Sequence, residues 1–138
     1  MNVRLLLAAT LAVLATVAVG CGAPTSSTAD FEGTEQDVAE VIENLQQAAT
    51  DDAPERVCET ILSPKLTSRL GDRCEDAVEA GFDDADTSEL IVDSVRVTGN
   101  TARAQVFVGA DEERKELMTL EKDGDRWKIT SLGEEIRS

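Results

Sequence analysis

Cysteine thiols are the groups in this chain best suited to covalent chemistry, and there are three of them: Cys21, Cys58 and Cys74. His and Tyr are absent, so neither a Ser-His-Asp triad nor a Cys-His pair can be assembled. General acid–base work would fall on a carboxylate or Lys whose pKa had been moved by burial. One residue is a candidate for that role. Asp93 stands in an otherwise apolar strand, on the face expected to carry Ile91, Val95 and Val97. The plainer reading makes it an exposed acid where the strand begins or bends. Most other carboxylates stand in polar stretches, where nothing would raise their pKa toward neutrality. No residue is assigned a catalytic role, and the chain reads as a non-covalent binder rather than an enzyme.

Cys21 has a distinct context. Arg4 precedes a stretch from Leu5 to Val19 without a charge, and Cys21 follows between Gly20 and Gly22. A basic start, an apolar middle and a small residue before the cut are the three parts of a secretion signal. The stretch is shorter than the roughly 20 residues a spanning helix needs. The run Val17-Ala18-Val19-Gly20-Cys21 resembles a bacterial lipobox, although Ala18 stands where Leu is usual. It predicts a signal peptide over 1–20 and lipidation of Cys21 as the first mature residue. Two acyl chains, at about 0.8 kcal/mol per buried methylene, would anchor the chain stably. The alternatives are a transmembrane anchor and a conventional signal that ends near a cysteine by chance. The predicted location is the extracytoplasmic side of a cell membrane, with the lipid on Cys21 as the membrane partner. Residues 21–33 are small and polar around Pro24, and read as the lipidated cysteine and a flexible tether. Residues 34–138 remain, enough for one domain.

Charge excludes some partners. The chain has 13 Lys and Arg against 28 Asp and Glu, a net charge of −15. Arg4 is the one basic side chain before Cys21, so the part after it stands at −16. Nucleic acid and an anionic membrane surface would repel such a domain. The ordinary meaning of this acidity is solubility. A sharper one is cation binding at Asp83, Asp84, Asp86 and Glu89, but the Asp, Asn and central Gly order of an EF-hand is missing. No metal site or cofactor motif is assigned.

With Cys21 lipidated, Cys58 and Cys74 remain, and two cysteines in an oxidising compartment have one pairing. Free buried thiols are the alternative. Asp52 is expected to cap a short helix with Pro54 in its first turn, running through Val57, Cys58, Ile61 and Leu62. Ser63-Pro64 ends it and starts another, with Leu66 and Leu70 on one face and Gly71 as terminator. Asp72 begins a third segment with Cys74, Ala77 and Val78. A Cys58–Cys74 bridge would staple helices too short to stand alone. A longer helix precedes them: Thr34 as N-cap, Asp37 three residues on, then Val38, Val41, Ile42, Leu45 and Ala49 at three- and four-residue steps, ending near Asp51.

From Ser88 the period changes to two. Leu90 to Thr98 reads as a strand, Gly99-Asn100 as a turn, and Thr101 to Gly109 as a strand with Ala102, Ala104, Val106 and Val108 on one face. Glu113 to Lys122 alternates less cleanly. Asp123-Gly124 is a hairpin turn, and Arg126 to Leu132 closes the sheet with Trp127 and Ile129 on one face. The predicted fold class is α+β: three to four N-terminal helices packed on a curved four-stranded antiparallel sheet.

Leu62-Ser63-Pro64 after Cys58, the second Cys74, and the closing run Gly124 to Leu132 together resemble small bacterial lipoproteins of the nuclear transport factor 2-like superfamily. That superfamily includes the ketosteroid-isomerase-like enzymes. The resemblance spans Gln36 to Leu132. It implies a cone of helices wrapped by a bent sheet, with a small-molecule pocket on the concave face. Enzymes of the superfamily work with His, Tyr and Asp at that pocket. The lack of His and Tyr here sets this chain with the non-enzymatic members, and no catalytic residue carries over.

The expected function is an envelope-anchored domain that binds a small apolar molecule or a lipid in a cleft lined by Phe107, Met118 and Trp127. Trp127 also reads as a core anchor of the last strand. The alternative is an accessory subunit that docks on another envelope protein through its sheet or its acidic surface. A binder hides its apolar surface in a cleft, whereas a docking module shows it as a flat patch.

Overall fold

The structure is a computed structural model that describes residues 28–84, 89–109 and 114–135. Residues 1–20, expected to be a signal peptide, and Cys21 lie outside the described residues. Four helices are followed by four strands: α1 (Thr34–Thr50), α2 (Pro54–Arg56), α3 (Pro64–Leu70), α4 (Cys74–Asp84), β1 (Leu90–Thr98), β2 (Thr101–Val108), β3 (Arg114–Asp123) and β4 (Arg126–Glu135). The strands form one antiparallel sheet in the order β1-β2-β3-β4. The helices pack on one of its faces, an α+β fold.

α1 buries Val38, Ala39, Ile42, Leu45 and Ala48, a stripe at three- and four-residue steps that faces the sheet. Its cap lies one residue before the expected one. Gly33 is the N-cap, at φ 58, and Thr34 is already helical. The helix ends in a Schellman motif: Ala53 N–H donates to the Ala48 carbonyl and Asp52 N–H to that of Ala49. Asp52 occupies the left-handed position, φ 52, which Asp tolerates through its short polar side chain. Ala53, not Asp52, precedes α2.

α2 runs directly into a π-helical stretch, Val57–Ile61, where Leu62 N–H reaches back to the Val57 carbonyl. That wider turn puts both Val57 and Ile61 in the core. Leu62 then forms a parallel bridge to Ile129 on the edge of β4, and Ser63 N–H donates to the Ile129 carbonyl. Ser63 also caps α3, its hydroxyl accepting from Leu66 N–H with Pro64 in the first turn. A disulfide joins Cys58 in the π-helical stretch to Cys74 at the start of α4, so it closes a loop that contains α3. Leu66 and Leu70 of α3 are half-buried against the core.

Both outer hairpins close on two-residue loops whose first residue is glycine: Gly99 at φ 60 and Gly124 at φ 62. A type II′ turn needs that left-handed first residue, and its twist suits the flanking strands. Three irregularities break the ladders. β1 shifts register between Val92 and Ser94, and β3 and β4 shift twice between Leu117 and Leu120. Bulges of this kind bend the strand that carries the extra residue.

The bulge in β1 corrects the parity read from sequence. Leu90, Val92, Val95 and Val97 pair with Val108, Val106, Ala104 and Ala102, so these four face the helices. Ile91 pairs with Phe107 and points the other way. Asp93 is the inserted residue. Strict alternation cannot place an extra residue, and so it put Ile91 on the face of Val95 and Val97. A further finding concerns residues 28–31, part of the stretch expected to be a tether. Thr28–Asp30 forms a 3₁₀ turn, Thr28 N–H donates to Glu43 Oε1 at 3.2 Å, and Phe31 packs against the core. The described fold therefore includes Thr28–Asp30 and Phe31. One aromatic ring with apolar neighbours in space holds a segment whose composition alone reads as linker.

Candidate functional site

The three residues expected to line one cleft sit in three places. Met118 lies on the helix-facing side of β3, 4% exposed. It lines an apolar cavity of about 120 Å³ between Leu45 and Ala49 of α1, Gly81 and Phe82 of α4, and the sheet. Val78, Leu90, Val108 and Leu132 complete the apolar wall. Glu116 is its one acidic lining residue, and Arg114 Nε holds that carboxylate at 2.9 Å. Gly133 adds a constraint: at φ 64, a Cβ built there would run into the Glu116 carboxylate. The backbone of β4 thus passes close under the acid that closes the cavity. An engineered apolar cavity of about 150 Å³ stays dry and holds a benzene ring, so this one matches a short alkyl chain or a single ring.

Trp127 lies on the same face of the sheet, beside the β3–β4 turn, and is 4% exposed. It lines a separate, open groove of about 550 Å³. Asp37, Glu40 and Asn44 of α1 form one wall, and Arg56, Thr60 and Arg126 stand across it. The indole Nε1 has no hydrogen-bond partner among the described residues, an arrangement that costs about 1–3 kcal/mol. At the rim, Asp51 is held below the usual carboxylate range by hydrogen bonds from Arg56 and then Gln47, with the Arg56 charge adding to them.

Phe107 faces away from both. Its neighbours in β2, Val106 and Val108, are buried against the helices, so its ring stands on the outer side of the sheet. Lys115 Nζ sits 4.6 Å from the ring centroid and 3.0 Å from Asp93 Oδ2. Asp93 is therefore an exposed, ion-paired acid on the bulge, remote from the apolar cavity. Of the acidic run Asp83, Asp84, Asp86 and Glu89, Asp86 lies outside the described residues. Among the residues described, no carboxylates and cysteines converge as a metal-ligating group.

Sequence reasoning passed over Gly81, Phe82, Glu116 and Leu132. Gly81 and Phe82 follow Ala77 and Val78 at four-residue steps, so extending the α4 stripe by one turn would have found them. Glu116 stands two residues before Met118 in an unbroken β2–β3 ladder, so strict alternation from Met118 would have found it. Leu132 carried no comparable signal, because the two register shifts between β3 and β4 decide which way it faces.

Comparisons with protein-family models, with curated proteins and with solved structures find no match to this chain.

Proposed function

We propose that this chain is an envelope lipoprotein, anchored through Cys21, whose folded domain binds an apolar group non-covalently. The observation that carries the reading is the cavity at Met118: apolar walls from both layers, with the Glu116–Arg114 pair at its edge. Such a site suits a short alkyl chain or ring whose polar end stays at the carboxylate–guanidinium pair. The resemblance to nuclear transport factor 2-like lipoproteins supports it, because there too the ligand space lies between helices and sheet. Phe107 takes no part in this reading, and Trp127 serves it as a core anchor.

A titration of the full chain with straight-chain alcohols from butanol to decanol, followed at the Met118 methyl signal by NMR, tests the cavity. The expected result is saturable binding with an optimum chain length. Gly81 lines the cavity, and a Cβ there meets nothing within 4 Å, so Gly81→Leu is the variant chosen to occupy the space, with its fold checked by the unfolding midpoint. Equal binding by wild type and Gly81→Leu, or none by either, would sink the cavity reading. The anchor is tested separately by labelling cells with a fatty-acid analogue, which should mark the wild type and not Cys21→Ser.

A further inference from the structure

Charge is divided unevenly between the two layers. Residues 28–84, the helical layer, hold 16 Asp and Glu against four Lys and Arg; the four strands hold six against seven. Several of those cations collect on the outer face of the sheet. Val95 and Val97 pack into the core and Ala102 and Ala104 are buried, so Arg96 and Arg103 between them point outward. Register places these two arginines directly opposite each other across β1 and β2. Both are exposed, and neither has an ion-pair partner among the described residues. Like charges in a cross-strand pair oppose pairing, and a domain so rich in carboxylates leaves this pair without one.

Further along the same face lie apolar side chains. Ile91 pairs with Phe107, and Leu117 pairs with Gln105 one outward row away. All three are half-buried, and none belongs to the core cluster or packs against it. Lys115 lies over Phe107 and uses Asp93, the acid of the bulge. Asp93 is thus occupied, and Glu121, the outward acid diagonal to Arg103 on β3, makes no ion pair with it among the described residues, so the arginines are left open. Arg103 and Phe107 are four residues apart on one strand, roughly 13 Å at the rise of an extended chain.

We propose that this outer face docks an extended acidic segment of a partner protein. A carboxylate of the segment is taken by the paired guanidiniums of Arg96 and Arg103, and an apolar side chain four residues along rests on Ile91, Phe107 and Leu117. Guanidinium forks match carboxylates in bidentate geometry. An extended segment has the same residue spacing as the strand beneath it, which brings both contacts into register. An anionic bilayer fits less well. The apolar side chains are half-buried in the face rather than raised above it, and the acidic helical layer is repelled by an anionic surface. A second copy of this chain is opposed by a net charge of −15 on each. The proposal is independent of the cavity at Met118, which lies on the other face.

The test uses the full chain and a defined peptide with Glu and Phe four residues apart and Thr and Ser elsewhere, followed by backbone amide shifts. The expected shifts fall on β1 and β2 around Arg96, Arg103 and Phe107, and they weaken as salt rises from 50 to 500 mM. Arg96→Gln with Arg103→Gln should weaken binding at least about tenfold, as should Gln for Glu in the peptide. The double variant loses a repulsion rather than a contact, so its unfolding midpoint should not fall, which separates lost binding from lost fold. Shifts confined to the helices, equal binding by the double variant, or no binding would each overturn the proposal. So would arginine-dependent sedimentation with phosphatidylserine vesicles without peptide binding, which would assign the face to a membrane surface.

Discussion

On the helix-facing side of the sheet, Ala104, Val106, Leu120 and Ile129 are 0% exposed. On the other side of the same strands, Phe107 and Leu117 are half-buried and Arg96 and Arg103 are exposed. Both faces alternate from one backbone, so strand propensity does not separate them. What differs is coverage. The inner face has α1, the π-helical stretch and α4 against it, and there each side chain removed from water contributes its transfer free energy and its packing. The outer face has no described element over it; it shows the Arg96–Arg103 pair, with Thr119 and Glu121 beside it, toward one end and half-buried Ile91, Phe107 and Leu117 toward the other. Stability therefore resides on one face, and the other is left open to recognition.

The comparison breaks most directly with matched truncations. Leu120→Ala on the inner face should cost about 2–5 kcal/mol. Leu117→Ala on the outer face, on the same strand, should cost no more than about 0.5 kcal/mol. Chemical denaturation measures both, and similar losses would show that the outer face is covered as well. The disulfide belongs to the helical layer. Replacing Cys58 and Cys74 by Ser should cost about 3 kcal/mol in the chain-entropy account. Amide exchange should rise first in α2, α3 and the start of α4 and leave β2 and β3 slowest.

A smaller effect is expected where the two faces meet at an edge. Gly133→Ala forces a side chain into a left-handed residue and pushes Glu116 aside. It should cost about 1–2 kcal/mol and alter alcohol binding at the Met118 cavity while leaving the outer-face peptide unaffected. The sign reverses for the arginine pair: Arg96→Gln should stabilise the fold by about 0.5 kcal/mol, at the expense of peptide binding. A loss of stability instead would mean that Arg96 is held by the fold.

The smallest effect is electrostatic and lies in the helical layer. Asp51 is held below the ordinary carboxylate value by Arg56 and Gln47. A depressed folded pKa means that its contribution is complete above the ordinary value of 3.8 and is lost as pH falls through the lower folded value. An NMR carboxyl titration should place the Asp51 midpoint below 3.8, and Arg56→Ala should raise it toward that value. Because the pair is exposed, stability should change little.

Local sequence rules determined much of this molecule. The α1 stripe, the Ser63-Pro64 junction, both glycine turns and the pairing of Cys58 with Cys74 are properties of short stretches, and each is in place. The fold class follows from them, because one long helix, three short ones and four strands have few ways to bury their apolar sides. Tertiary structure decided what local rules cannot reach. An inserted residue at Asp93 reverses the facing of Ile91, and two shifts between β3 and β4 set where Leu132 points. Phe31 orders a segment of linker composition because a core is there to receive it. Phe107, Met118 and Trp127, so alike as apolar residues in a list, part ways for the same reason: facing and coverage depend on ladder register and on which helix lies opposite, and neither is written in any single stretch of chain.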